Sequence, residues 1–179
     1  MKQRKKMLVI DGYNVLRSGS RYRHLRDAED FTHETLNKVR ESLINDAIAY
    51  MGRDYTRAYV VFDSADNLES EGSDEAIGGV HVVFSGAGRS ADTVIEKLAH
   101  DARESGWEVM VVTSDATVQD TVFGLGVDRM SAEGFGREAD MLDEESRQER
   151  GPALKRKATV ADRVDADTLA KLKALRERG

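Results

Sequence analysis

The sequence predicts an α/β domain with a mainly parallel central sheet flanked by helices, and three observations carry that expectation. Short β-rich apolar runs alternate with longer stretches of helical periodicity, the pattern of successive βαβ units. Aspartates recur where strand passes to helix, the edge at which open α/β sheets form their sites. At 179 residues with 40% hydrophobic content, the chain can bury one substantial core but hardly two.

Four strands are expected near Met7–Ile10, Ala58–Phe62, Val80–Phe84 and Glu108–Thr113, with a weaker fifth at Val127–Met130. Between the first two, Phe31 to Tyr50 carries Leu36, Val39, Leu43, Ala47 and Tyr50 on one helical face. Ala91 to Glu104 repeats the pattern through Val94, Ile95, Leu98 and Ala102, with Ser90 as N-cap and Gly106 just past the end. Two stretches lack a core pattern. Asp63 to Gly79 is rich in acids and serines, ends in Gly78-Gly79 and reads as a loop beside the site. From near Glu144 the chain runs through Gly151-Pro152 and Lys155-Arg156-Lys157 to a short amphipathic helix, Asp167 to Arg178, with Leu169, Leu172 and Leu175. The expected division is a domain over 6–147 and a basic, partly helical tail over 148–179, whose leucines dock on the domain or on a partner.

Composition narrows the chemistry. Without cysteine there is no disulfide, no thiolate zinc site and no cysteine nucleophile. Lys2, Arg4, Lys5 and Lys6 precede only a handful of apolar residues before Asp11, far short of a secretory or membrane-spanning segment, so a soluble, cytoplasmic protein is expected. A formal charge of -6 rules out coating nucleic acid by bulk electrostatics, and any such contact must use local patches.

The chemistry that remains rests on carboxylates. Asp11 leaves the first strand, Asp92 lies in the first turn of its helix, and Asp115 leaves the fourth strand, so all three can face one crevice if those strands are neighbours. Such oxygen donors suit a hard cation, Mg²⁺ or Mn²⁺. Each acid alone also fits a turn or an N-cap, but three at equivalent junctions favour a shared site. Asn14 either turns the chain or orients the Asp11 carboxylate or a phosphate. Glu96, one helical turn after Asp92, is a further ligand or a solvated charge, and Asp63 ends the second strand within possible reach. Asp120 reads as a surface charge.

These residues carry a resemblance. Leu8-Val-Ile-Asp-Gly-Tyr-Asn14, Gly88-Arg-Ser-Ala-Asp-Thr-Val-Ile-Glu96 and Thr113-Ser-Asp115 with Gln119 following, together with Val60-Val-Phe-Asp63 and Arg129-Met-Ser131 in order, resemble the YacP-like NYN family of the PIN-like ribonuclease superfamily over about residues 6 to 147. The resemblance implies a PIN-like three-layer sandwich and a metal-dependent endoribonuclease. It places Asp11, Asp92 and Asp115 in the acidic centre, with Asn14, Ser114 and Glu96 supporting, and it suggests a link to ribosomes and mRNA turnover. If RNA binds, the expected phosphate contacts are Arg17, Arg21, Arg23, Arg26 and Arg89, with Tyr13 or Tyr22 stacking on an unpaired base. The bland alternative for the arginine group is a solvated loop.

Rival readings fare worse. Gly86-Ala-Gly-Arg-Ser-Ala91 fits a dinucleotide fingerprint, but it follows the third strand rather than the first, and no acid ends the next strand at about 20 residues, so no nucleotide cofactor is expected. No G-x-S-x-G elbow occurs, and His24, His33, His81 and His100 have no triad or ligand spacing. A catalytically silent RNA- or ribosome-binding module is the surviving non-enzyme alternative, although such a module has no need of three convergent acids.

Overall fold

In the computed structural model, which describes residues 5–26, 32–64, 72–122, 126–149 and 166–177, the apolar runs form strands. They are β1 (Lys6–Asp11), β2 (Arg57–Phe62), β3 (Ser73–Ile77), β4 (Val80–Phe84), β5 (Glu108–Val112) and β6 (Val127–Met130). One sheet takes them in the order β3-β4-β2-β1-β5-β6. All neighbours are parallel except β3 and β4.

The helices are α1 (Gly12–Ser18), α2 (Arg23–Arg26), α3 (His33–Asp54), α4 (Ala91–Glu104), α5 (Ala116–Val122), α6 (Ala132–Glu149) and α7 (Ala166–Glu177), with a 3₁₀ turn at Ser20–Tyr22. Thr32 and Ser90 cap α3 and α4, each accepting a hydrogen bond from the backbone N–H three residues on. Phe31, the expected start of the first long helix, lies outside the described residues. No helix among the described residues is long and apolar enough to cross a membrane.

Strand alternation divides the core into two halves. Leu8, Ile10, Val60, Phe62 and Val82 pack on one face with Val39, Leu43, Ile44 and Ala47 of α3, Phe135 of α6 and Leu172 of α7. Met7, Val9, Tyr59, Val61, Val109 and Val111 face the other way, onto Ile95 and Ala99 of α4 and Val118 and Val122 of α5. The result is the three-layer sandwich. β1 is buried on both faces, which is why it reads as an unbroken apolar run.

The connections decide where a ligand can sit. From β1 the chain moves outward to β2 and β4, then returns through α4 to β5 on the opposite side of β1. The order reverses between β1 and β5, and the crevice beyond their carboxyl ends is the binding position of open α/β sheets.

Three expectations change. Part of the acidic stretch 63–79 is a strand, not a loop: β3 pairs antiparallel with β4 across Gly78-Gly79. Both glycines have positive φ, 58° and 86°, as a tight two-residue hairpin loop requires. Only Ile77 of β3 is buried, because an edge strand presents its other residues to solvent, so no apolar alternation marks it. Residues 65–71 lie outside the described residues. Next, the expected boundary at 147/148 falls inside α6, whose buried Ala132, Phe135, Gly136 and Ala139 tie it to the domain. Beyond it, Leu172 of α7 is only 1% exposed within the main core, while the basic segment 150–165 lies outside the described residues.

The third change concerns Arg21, expected on RNA. Its guanidinium is instead surrounded by carboxylates: Nε and Nη2 donate to Asp46 at 2.7 and 2.8 Å, Nη2 to Asp143 at 2.7 Å, and Nη1 to Asp140. The fully buried Tyr22 adds its hydroxyl to Asp46 at 2.8 Å. Burial disfavours the Arg21 charge, but Asp46 and Asp143 outweigh it and hold its pKa above the ordinary value. This knot joins the 3₁₀ turn to α3 and α6 and commits four of the five guanidinium N–H donors to carboxylates. Arg21→Met strands the carboxylates and is expected to cost about 3–5 kcal/mol by urea denaturation, whereas Ala at exposed Arg23 should change stability by less than about 0.5 kcal/mol.

Candidate active site

Asp11 is the last residue of β1 and the N-cap of α1. Its Oδ1 accepts the Asn14 backbone N–H at 3.4 Å and its Oδ2 accepts the Thr113 hydroxyl at 3.1 Å. Thr113 Oγ1 in turn accepts the Asp115 N–H at 3.1 Å. A second tie runs alongside: Asn14 Oδ1 accepts the Ser114 N–H at 2.7 Å, and Ser114 Oγ accepts the Ala132 N–H at 3.0 Å. The turns after β1 and β5 and the start of α6 are thereby fixed to one another. Gly12 serves this arrangement by its small size, since a Cβ there would lie 2.5 Å from the Phe62 ring and 2.9 Å from the Val61 carbonyl.

The acids share one electrostatic field. Asp11 is 7% exposed, and burial pushes its pKa up to about 6 against the hydrogen bonds from Thr113 and Asn14, with Asp92 and Asp115 adding to the rise. Asp92, in the first turn of α4, is also raised, first by burial and then by Asp115, Glu96 and Asp63. Asp63 accepts the Ser85 hydroxyl at 3.3 Å, and Ser85 Oγ accepts the Ser64 N–H at 3.1 Å. Asp115 Oδ1 caps α5 through the Thr117 N–H at 2.8 Å. Among the described residues, no three His, Asp or Glu side chains stand close enough as placed to grip a metal ion.

The expected RNA contacts divide. Arg17, Arg23 and Arg89 are exposed, and Arg17 Nε also donates to the Tyr13 carbonyl at 3.3 Å. Arg21 is bound in its carboxylate knot, and the Arg26 side chain lies outside the described residues. Tyr13 is half-buried with its ring 5.1 Å from that of Phe62, and Ser114 is engaged at both its N–H and its hydroxyl. Sequence reasoning missed Thr113 as the partner of Asp11, Ser85 as the partner of Asp63, and Arg40 beside Tyr13. A signal for Arg40 existed: it lies four residues after Leu36 and three before Leu43, on the apolar face of its helix.

Comparison with known proteins finds relatives of the whole fold. Residues 8–177 match the family model described as YacP-like NYN domain. The Uncharacterized protein YacP of Bacillus subtilis (strain 168) is 32% identical over 139 residues, 76% of each chain. The crystal structure of Rae1 (YacP) from Bacillus subtilis superposes with a TM-score of 0.62 at 27% identity, covering 96% of this chain and 88% of that one. A tryptophan-to-leucine mutant of it gives 0.63 at 26%, covering 94% and 98%.

The Asp11 shift has a thermodynamic signature. An aspartate in an unfolded chain has a pKa of about 3.9 and burial pushes that of Asp11 up to about 6 in the fold, so between those values the folded state holds the extra proton. Stability therefore falls as pH rises through that window and stays lower above it. Asp11→Asn removes the charge and is expected to raise the Tm of the metal-free protein by about 3–6 °C near pH 7.5, with the gain gone near pH 4, in thermal denaturation across that range.

Proposed function

Since the chain belongs to the YacP-like NYN domain family, with its PIN-related, nuclease-like fold, we propose that it is a divalent-metal-dependent endoribonuclease acting on single-stranded RNA. The observation that carries this reading is the buried Asp11 carboxylate at the β1/β5 reversal, raised in pKa and coupled to Asp92 and Asp115. Structural ion pairs do not account for it, because burial is the largest cause of both shifts and the charged neighbours that add to it are other acids.

The donors are all hard oxygens, the set that suits Mg²⁺ or Mn²⁺. Asp11, Asp92 and Asp115 would hold the ion, with Glu96 and Asp63 as further carboxylates of the same field. When bound, such an ion supplies a nucleophilic water at neutral pH and neutralises charge on the phosphate. The chain's own groups do the positioning. Thr113 and the Asn14 N–H hold the Asp11 carboxylate in place, and Asn14, anchored through its oxygen on Ser114, offers its amide nitrogen to a phosphate oxygen. Hydrolysis joins the water oxygen to phosphorus and breaks the P–O3′ bond. The proton ends on the 3′ oxygen, so the products carry a 5′-phosphate and a 3′-hydroxyl. Arg17, Arg23 and Arg89 are the exposed cations for neighbouring phosphates. The family resemblance extends the proposal to mRNA on ribosomes.

A silent RNA- or ribosome-binding module is the second reading, favoured by the lack of three tightly grouped acids among the described residues. Cleavage of labelled single-stranded RNA, free and ribosome-bound, with Mg²⁺, Mn²⁺ or EDTA separates the two. The endoribonuclease reading expects metal-dependent cutting that falls roughly a thousandfold, the rate equivalent of about 4 kcal/mol, in Asp11→Asn, Asp92→Asn or Asp115→Asn. Cutting confined to ribosomes assigns substrate choice to the ribosome. Binding without cutting in every condition selects the module.

A further inference from the structure

Arg40 carries its charge into aromatic surroundings. It projects from α3 into a cage of three rings, its guanidinium 5.3 Å from the centroid of Tyr13, 5.7 Å from Phe62 and 5.5 Å from Phe84. One Nη donates to the Tyr13 hydroxyl and the other to Asn37 Oδ1 at 3.0 Å. Its Nε–H is buried with no partner among the described residues. Among the described residues no carboxylate pairs with it, whereas Arg21, Lys6, Lys38, Arg53 and Arg147 each pair with an acid. Arg40 is thus held in position with no carboxylate partner among the described residues, in a protein of net charge -6.

The cage is tied to the acidic centre by the chain itself. Tyr13 stands two residues after Asp11, Phe62 immediately before Asp63, and Phe84 immediately before Ser85, which donates to Asp63. All three rings therefore stand at the carboxyl ends of β1, β2 and β4, on the α3 side of the crevice. A polyanion crossing this group of acids needs a fixed cation beside it, and a partly desolvated guanidinium without a counter-charge is suited to grip phosphate oxygens.

We propose that Arg40, braced by Tyr13, is a phosphate-binding subsite for the RNA strand, holding a backbone phosphate next to the one that is cut; this rests on the endoribonuclease reading above. Aromatic faces keep the cation oriented, and the Tyr13 hydroxyl fixes the plane of the fork. Arg40 is a substrate-positioning residue and takes no part in proton transfer.

The test measures binding of a labelled single-stranded RNA to the full chain carrying Asp11→Asn, by fluorescence anisotropy over a range of salt. Adding Arg40→Gln is expected to weaken binding roughly tenfold at low salt and to lower the slope of log K against log salt by about 0.7, the loss of one single-strand phosphate contact. Arg40→Lys keeps the slope but binds several-fold more weakly, because it loses the fork. Exposed Arg147→Gln changes neither. Unaltered affinity and slope in folded Arg40→Gln would overturn the subsite, as would weaker binding that merely tracks loss of folded protein at constant slope. Should Arg40→Gln not fold, Arg40→Lys decides, with unchanged affinity counting against the subsite. If the chain without an Arg40 change neither binds nor cuts RNA, the endoribonuclease reading itself fails; if it binds and the Arg40 variants bind equally, only the subsite fails.

Discussion

A carboxylate at the end of a strand buried on both faces has to be held by donors that the fold itself supplies, and Asp11 imposes that requirement on everything around it. Its place is set by β1, which pairs with β2 on one side and β5 on the other. Its donors come from the first turn of α1 and from Thr113 just beyond β5. The Asn14–Ser114–Ala132 chain then fixes the two turns that carry those donors. Even Gly12 answers to the same demand, since Phe62 fills the space a side chain would need. Donors keep Asp11 in one arrangement, while burial and neighbouring acids make its charge costly there.

Charge is distributed around this centre in two different ways, and α3 contributes to both. On one side Asp46 anchors Arg21 within a group of carboxylates, a knot that joins α3 to α6 and the turn between α1 and α2. On the other, Arg40 of the same helix is held, among the described residues, by rings and neutral acceptors. The first arginine has its counter-charges built in, so removing it exposes an excess of negative charge. The second has geometry without a counter-charge among the described residues, which is the condition of a residue that meets an anionic substrate.

The sequence made legible whatever depends on local pattern. β1, β2, β4 and β5 are apolar runs, and α4 carries both its apolar face and its Ser90 cap. The fold therefore followed from strand and helix alternation, and Asp11, Asp92 and Asp115 stood out by their positions at the junctions. What depends on distant partners was not legible. β3 is polar because an edge strand is exposed, and its pairing rests on Gly78-Gly79 rather than on alternation. In α6, Gly134 and Gly136 near the start obscure a helix whose buried side is Ala132, Phe135 and Ala139. Arg21 looked like one of several loop cations, because its partners Asp46, Asp140 and Asp143 lie far along the chain.

If Asp11 gathers the neighbouring acids into one cation site, titration of the purified chain with Mn²⁺, followed by electron paramagnetic resonance, shows it most directly. One Mn²⁺ is then expected to bind per chain, displaced by Mg²⁺ and lost in Asp11→Asn. Failure of the unsubstituted chain to bind Mn²⁺, or binding that survives the Asp11 substitution unchanged, would contradict the shared site.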